Sequence, residues 1–509
     1  MLARILSAAL YGIEAYPVEV EVDMAQGLPQ FATVGLPEGA VKESKDRVRS
    51  AIRNAGFSFP SRRITINLAP ADRRKDGAAF DLPMAIGILQ AAGLVPDDAG
   101  KPYVLLGELS LDGRVKPVRG VLPVAVAARN WEVAGLILPS ENASEAASAS
   151  QLPVYPVNSL GEVVGFLHQT VELQPQAVVA PQAQVPLCGG DDFAEVRGQR
   201  FAKRALEVSA AGGHNLLMIG PPGSGKTMLA RRVPSILPSM SFEESLDASK
   251  IHSVVGLLGS SGELLSMRPF RHPHHTVSDA GLIGGGSYPR PGEVSLAHNG
   301  VLFLDELPEF KKNLLEMLRQ PLEDGQVTIS RVSQSLTYPA DFMLIAAMNP
   351  CPCGYLGDTL HACSCTPLMR QRYRSRLSGP LLDRIDLHVT VPRIEHRELT
   401  GGSQEESSAL IRERVATARV RQQKRLAGHG LHANAQMQAR HLRDYCRTDK
   451  QGDALLRDVV DRLGLSARSY ARILKVARTI ADLSGEEALL PHHLAEAIQY
   501  RQLDRPLSP

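Results

Sequence analysis

The chain has 509 residues, 44% of them hydrophobic and 22% charged, with a formal net charge of +2. That length accommodates several domains at roughly 100–200 residues each, and the composition is that of a globular chain rather than a disordered or fibrous one. A net charge so close to zero excludes a uniformly basic surface, so any nucleic-acid footprint must be local. No apolar run approaches the ~20 residues that a membrane helix needs.

The chain starts with a short apolar run, then alternates Val18, Val20 and Val22 with Glu19, Glu21 and Asp23. A secretory segment would lead to a small-residue cleavage site, whereas this alternation predicts a strand. The expected location is cytoplasmic, with no membrane partner. Residues 64–68 and 103–106 also read as strands, and residues 39–55 and 82–92 as helices. Residues 169–186, rich in Gln, Pro, Ala and Val without a period, read as a linker. Apolar strands are then predicted over 215–219, 301–304 and 342–348, and strand-like alternation over 326–338. A long polar helix over 403–425, then helices over 455–483 and 491–500, close the chain as a small bundle.

Gly220, Pro221, Pro222, Gly223, Ser224, Gly225, Lys226 and Thr227 match the pattern GxxxxGK[ST] without a gap. A predicted strand precedes them and a helical stretch follows, which is the context a phosphate-binding loop requires. The glycines let backbone N–H groups turn inward around phosphate oxygens, and the helix N-terminus adds a favourable dipole. Lys226 would neutralise the β- and γ-phosphates of ATP, and the Thr227 hydroxyl would ligate Mg²⁺. The strand at 301–304 ends in Asp305 and Glu306. Asp305 would hold Mg²⁺ and Glu306 would polarise the attacking water. The strand at 342–348 ends at Asn349, whose amide can orient that water, although Asn349-Pro350 also starts a turn.

Four of the six cysteines crowd together as Cys351, Cys353, Cys363 and Cys365, with the spacing C-x-C, nine residues, C-x-C. Four thiolates on a short loop can enclose one Zn²⁺, and the alternative is cysteines tolerated in a reducing compartment. Cys188 and Cys446 read as isolated thiols. His272, His274 and His275 could suggest another metal, but prolines interrupt the run. A structural or DNA-facing loop is favoured.

The order P-loop, Asp-Glu, Asn resembles the AAA+ ATPases. Arg271-His-Pro-His-His-Thr276, Gly284-Gly-Gly, the stretch from Pro289 to Pro308 and Gly379-Pro-Leu-Leu-Asp-Arg-Ile-Asp386 narrow it to the magnesium-chelatase-like branch. The whole chain is similar to the ComM/YifB competence-type family. The resemblance implies a ring, expected as a hexamer, in which Asn349 is the sensor-1 residue and Arg384 the arginine finger of a neighbouring subunit. Arg468 matches the sensor-2 arginine, with Arg472 one turn away as its rival. Residues 196–199 resemble the segment that packs on the adenine.

Residues 1–168 resemble the Lon-type proteolytic domain, a ribosomal S5 domain 2-like α/β fold. The segments Lys75-Asp-Gly-Ala-Ala-Phe-Asp-Leu82 and 107–120 carry this. The positions of the Lon serine and lysine are Ala79 and Leu122 here. A Ser–Lys mechanism needs a hydroxyl and an amine, so a non-proteolytic scaffold is expected. The expected fold is therefore α/β throughout: a Lon-protease-like domain lacking its dyad (1–168), a linker (169–188), a P-loop AAA+ core with the cysteine cluster (189–392) and a C-terminal helical lid (393–509).

The resemblance implies an ATP-driven DNA helicase or branch-migration motor acting on branched or single-stranded recombination intermediates during natural transformation. The alternative is a chaperone-like remodeller of protein or metallocofactor complexes, as magnesium-chelatase subunits are. Candidate DNA contacts are Arg331, in a hairpin before Asn349, with Arg268, Arg271 and Arg290. Lys311 and Lys312, the arginines of 370–376 and the run 419–425 are weaker candidates, each also readable as a solvated helix face.

Overall fold

The computed structural model describes residues 1–96, 100–177, 192–258, 262–286, 289–331, 334–358, 360–394 and 405–501. They form two compact units, Met1–Ala183 with Phe242–Ser266, and Gln184–Ser241 with Met267–Pro509. Most of the expected linker, and Cys188 with it, lies outside the described residues. Phe242–Ser266 is reached in the chain only after the P-loop, yet it packs into the first unit, where the sequence reading ran the ATPase core unbroken over 189–392. The physical reason is apolar burial: Leu246 joins Leu122 and Ala149 in a small core.

In the first unit β1 (Leu2–Tyr11) and β2 (Glu14–Ala25) form a hairpin across Gly12, whose φ of 68° suits a tight turn. The apolar N-terminus is thus an inner strand. Val18, Val20 and Val22 are fully buried while the acids between them face outward, as a period of two requires. The strands β3 (Gln30–Val34), β4 (Arg63–Ala69), β5 (Tyr103–Leu105), the small hairpin β6 (Glu108–Leu109) and β7 (Val115–Lys116), β8 (Gly135–Pro139) and β9 (Val154–Val157) follow. The main sheet has seven strands in the order β3-β4-β2-β1-β5-β8-β9.

Helices α1 (Gly39–Asn54) and α2 (Asp81–Ala91) join the core on one face, and α3 (Val121–Ala127) and α4 (Ser140–Ala147) the core on the other. Along β8, Ile137 enters the first core and Leu136 and Leu138 the second, so the sheet is covered on both sides. The helix α5 (Leu160–Leu167) adds Leu160, Val163 and Val164 to the first core. The two positions that correspond to the Lon serine and lysine are apolar and packed: Ala79 lines the second core and Leu122 is fully buried in the small one.

The second unit carries α6 (Arg200–Gly212), β10 (Leu216–Ile219), α7 (Lys226–Ile236), β11 (Phe270–Arg271), the pair β12 (Gly284–Gly285) and β13 (Arg290–Pro291), β14 (Val301–Leu304), the hairpin β15 (Gln326–Arg331) and β16 (Gln334–Pro339), β17 (Met343–Met348) and β18 (Leu387–Thr390). Its five-stranded sheet has the order β11-β14-β17-β10-β18, and every neighbouring pair is parallel. In such sheets ligands bind at the carboxyl ends of the strands.

The C-terminal region contributes the helices Ser408–Leu426, Ala439–Tyr445, Lys450–Leu463, Ala467–Ser484 and Pro491–Gln499. The helix expected over 455–483 is therefore two. Gly464 ends the first in the left-handed region at φ 59°, and the Ser466 hydroxyl caps the second by accepting from Ser469 N at 3.1 Å. Val415, Ala477 and Ile480 of this helical region share one core with Leu216, Met218 and Ile345 of the sheet. None of the described helices is long and apolar enough to cross a membrane.

Asp386, 2% exposed, ties the start of β10 to the helix Ala467–Ser484. It accepts from Asn215 N at 3.1 Å, lies 3.3 Å from His214 Nδ1 and pairs with Arg472. Burial alone would raise its carboxyl, but Arg472 and His214 hold it far below the usual range.

Candidate nucleotide site

Three strands end side by side at one rim. Register pairs Ile219 with Met348 and Leu304 with Ala346, so Gly220, Asp305 and Asn349 leave their strands together. Gly220 can only be glycine, because a Cβ there would lie 2.2 Å from the Val391 carbonyl oxygen. Gly223 and Gly225, at φ 74° and 86°, bend the loop back on itself. Lys226 opens α7 and is 8% exposed. Its ammonium donates to the carbonyls of Gly220 at 2.8 Å and Pro221 at 2.9 Å, and lies 3.4 Å from both Ser224 Oγ and Asn349 Oδ1. Burial lowers its pKa, against the pull of Asp305 and Glu306.

The Thr227 hydroxyl donates to Asp305 Oδ2 at 2.6 Å. A hydroxyl and a carboxylate oxygen brought together beside a phosphate loop fit a hard divalent cation such as Mg²⁺. Glu306 stands in the left-handed region at φ 52°, and its N–H donates to Asp305 Oδ1 at 2.9 Å. The Glu306 side chain is 56% exposed and lies 3.4 Å from His275 Nδ1. His274 stacks on His275 with ring centroids 4.1 Å apart, and His272 packs on Phe303 of the acidic strand at 4.7 Å. The histidine run is thus a wall of the acidic pocket, a placement that loop composition alone did not reveal.

Arg384, expected to reach a neighbouring subunit, is 5% exposed. It pairs with Glu323 and donates to Pro380 O at 2.5 Å. To act as a finger it would have to leave Glu323. Of the two sensor-2 rivals, Arg472 is engaged with Asp386, whereas Arg468 is exposed on the first turn of its helix. Gln199, at φ 53°, reaches Pro392 O at 2.6 Å and Ser224 O at 3.4 Å, so the segment 196–199 lies against the phosphate loop.

The four clustered cysteines are free, and their sulfurs lie within 4.8 Å of one another. Burial pushes the Cys351 thiol up to about 12, while the backbone amide of Tyr355 brings Cys353 down to about 5. Cys446 is an inert buried thiol, raised to about 12 by desolvation.

Among the expected DNA contacts, two are bonded within the chain. Arg268 donates to the carbonyls of Pro238, Asn299 and Ser239, and Arg271 forms two bonds to Glu293 at 2.6 and 2.8 Å. Both half-buried guanidinium groups are engaged within the chain, by acceptors that loop spacing could not foretell. Arg290 is exposed. The backbone of Arg331 pairs with Gln334 at the tip of its hairpin, and its side chain lies outside the described residues. In the run 419–425, Arg419 donates to Ala210 O, Arg421 to Asp482 O, and Arg425 pairs with Asp482, so this run clamps helices together. Lys311, Lys312, Arg372 and Arg376 are exposed.

Comparison with known proteins agrees with this geometry. A family profile described as "Magnesium chelatase, subunit ChlI" matches residues 192–399, and profiles for subunit ChlI and its C-terminal part match 20–142 and 405–501. The competence protein ComM of Haemophilus influenzae is 44% identical over 99% of this chain and 98% of its own. The chain belongs to the ComM/YifB family of magnesium-chelatase-like AAA+ ATPases. YifB of Escherichia coli is 43% identical over 99% of this chain and 98% of its own. A Lon protease of Rhizobium meliloti is 26% identical over 31% of this chain and 21% of its own. In this ComM/YifB member the P-loop, the acidic pair and the Asn349 strand end thus stand on the parallel sheet that the family fold implies.

Proposed function

We propose that this ComM/YifB member is an ATP-driven, ring-forming DNA motor, a helicase or translocase that migrates branches in recombination intermediates during natural transformation. The observation that carries the ATP half is the convergence of Lys226, Thr227, Asp305, Glu306 and Asn349 at one sheet rim. Backbone amides of residues 220–227 and the Lys226 ammonium bind the triphosphate, exchanging the loop's own carbonyls for phosphate oxygens. Thr227 and Asp305 hold Mg²⁺, which offsets phosphate charge. Glu306 takes the proton of the attacking water, and Asn349 orients that water.

Arg384 leaves Glu323 to reach a phosphate bound by the next subunit of a hexamer, which makes turnover depend on assembly. Arg468 reads the same phosphate from the helical lid. A zinc ion in the cysteine cluster completes the cofactors. The domain plan is a Lon-like scaffold over 1–168, a linker over 169–188, the AAA+ core over 189–392 and the lid over 393–509, in a cytoplasmic protein. The DNA half rests on the full-length likeness to a protein named for competence, with Arg290 and Arg331 as contacts. The magnesium-chelatase profiles support a second reading, a chaperone-like remodeller of protein or metallocofactor complexes.

ATP turnover by the wild type and Glu306→Gln, with and without forked or four-way DNA, separates these. Stimulation of the wild type by DNA, with Glu306→Gln slower by about 10²-fold or more at retained nucleotide affinity, is the expected result. Turnover indifferent to every DNA would favour the remodeller. Turnover that survives both Glu306→Gln and Lys226→Ala would end the ATPase reading.

A further inference from the structure

The cysteine loop of residues 351–365 is attached to the nucleotide site at more than one point. Its four sulfurs are spaced 3.4 Å (Cys351–Cys353) and 3.6 Å (Cys351–Cys363 and Cys353–Cys363), with Cys365 Sγ accepting from Cys353 N at 3.4 Å. A disulfide would bring two sulfurs to about 2.05 Å. Four thiolates about 2.3 Å from a tetrahedral Zn²⁺ stand about 3.8 Å apart, close to what is seen. Four thiolates and one Zn²⁺ leave two negative charges, and the Arg370 guanidinium lies 3.6 Å from Cys363 Sγ to offset part of them.

The knuckle that carries the first two sulfurs turns at Gly354, at φ 86°, whose N–H donates to Cys351 O at 3.0 Å. A Cβ on Gly354 would lie 2.6 Å from Pro222 Cδ of the phosphate loop and 3.9 Å from Asn349 Cγ. The knuckle backbone therefore sits directly against both the loop that cradles phosphate and the amide that faces it.

The far side of the cluster is fastened as well. Thr366, next to Cys365, caps the helix Pro367–Arg374 by accepting from Met369 N at 3.3 Å. Tyr373 of that helix is buried close to the backbone of Asn349. Beyond it Arg376 donates to Pro308 O at 3.1 Å and Glu309 at 2.8 Å, in the turn that follows Glu306.

We infer that one Zn²⁺ held by Cys351, Cys353, Cys363 and Cys365 clamps the phosphate loop, so that metal occupancy sets the affinity for nucleotide. Thiols at these distances hold one another weakly, and without the metal the loop regains conformational freedom that a bound nucleotide must again remove. The Gly354 contacts with Pro222 and Asn349 are then no longer enforced. The metal acts on binding through position and touches no reacting atom. The clamp rests on the ATP reading above, and its test separates the two.

The full-length wild type is compared with Cys363→Ser/Cys365→Ser and with Gly354→Ala. Zinc per chain is measured by elemental analysis, affinity by titration with a fluorescent ATP analogue, and folding by circular dichroism. The wild type carries one zinc and binds the analogue. The double cysteine variant loses zinc and binds at least tenfold more weakly. Gly354→Ala keeps its zinc and also binds more weakly, because its methyl displaces Pro222, and this variant decides the matter if the cysteine variant is unfolded. A zinc-free wild type overturns the metal site. Zinc that is present, with unchanged affinity in a folded zinc-free variant or in Gly354→Ala, overturns the clamp and leaves the ATP reading intact. A wild type that carries zinc but binds no nucleotide overturns the ATP reading and the clamp with it.

Discussion

Lys75 and Asp81 in the first unit are fully buried, and each closes on the scaffold around it. Lys75 donates to the Pro70 carbonyl, and Asp81 accepts from Arg47 Nε at 2.7 Å and Leu109 N at 3.3 Å. Lys226 in the second unit is nearly as buried, but its partners are carbonyls of its own glycine loop at a sheet rim, beside two carboxylates. Burial in itself therefore does not mark a working charge. A charge whose hydrogen bonds are made by rigid secondary structure is a fastening, whereas one whose bonds can be exchanged for those of a ligand is machinery. The first unit keeps a protease-like outline in which Lys75 and Asp81 are fastenings, and Ala79 and Leu122 stand at the positions of the Lon serine and lysine.

Asp386 is the exception that tests the contrast, since it is a fastening inside the second unit. Replacing it by Asn leaves Arg472 without its counter-charge and alters the hydrogen bond to His214, and should cost about 3–5 kcal/mol. Asp81→Asn should cost less, about 1.5–3 kcal/mol, because burial already pushes the Asp81 carboxyl toward its neutral form. The single tryptophan, Trp131, lies in the first unit and reports its unfolding alone. Asp81→Asn should shift the thermal transition seen by Trp131 fluorescence. Asp386→Asn should shift the circular dichroism transition and leave Trp131 in place. Equal shifts at Trp131 would mean that the two units unfold as one body, and the contrast would fail.

The same distinction explains what the sequence could and could not disclose. The phosphate loop, the acidic pair and Asn349 were legible because each is contiguous and tied to a strand end. Val18, Val20 and Val22 were legible because a half-buried strand writes its faces into the period. The partners of Arg268, Arg271 and Arg384 were not: Asn299, Glu293 and Glu323 are set by tertiary folding, and one arginine looks like another in a string. The role of Gly354 was likewise hidden, since its neighbour Pro222 lies far away in the chain. The insertion of Phe242–Ser266 into the first unit had no local signal, because Leu246 is an ordinary helical leucine until Leu122 and Ala149 cover it.

A pH titration sharpens the contrast with a smaller effect. Burial lowers the pKa of His214 and His388 in the second unit. The unfolded chain takes up protons near pH 6.5 that the folded unit refuses, so stability is lost as pH falls below about 6.5. Asp386 works in the same direction but only below about pH 4, where its unfolded carboxyl begins to protonate. In the first unit burial raises Asp81 and Glu145, so the folded state binds protons more readily there and acidification favours it. Between pH 7.5 and 5.5 the second unit's melting midpoint should fall while that reported by Trp131 holds level or rises. Each pKa unit of difference is worth about 1.4 kcal/mol. Parallel decline of both midpoints would show that the buried histidines do not govern the second unit.

The smallest effect separates fastening from machinery among the arginines. Arg290 is exposed at the start of β13, whereas Arg268 is bonded to backbone carbonyls. If the DNA reading holds, Arg290→Ala should weaken binding uniformly across sequences and lower the salt dependence of log K by about one. Arg268→Ala should leave that slope unchanged and lower the melting midpoint instead, since it strands the carbonyls of Pro238 and Asn299. Measuring both quantities for both variants gives four results, of which only the crossed pattern supports the assignment. A salt slope lowered by Arg268→Ala at wild-type stability would place that guanidinium on phosphate, and its bonds within the fold would then be the exchangeable kind that Lys226 makes.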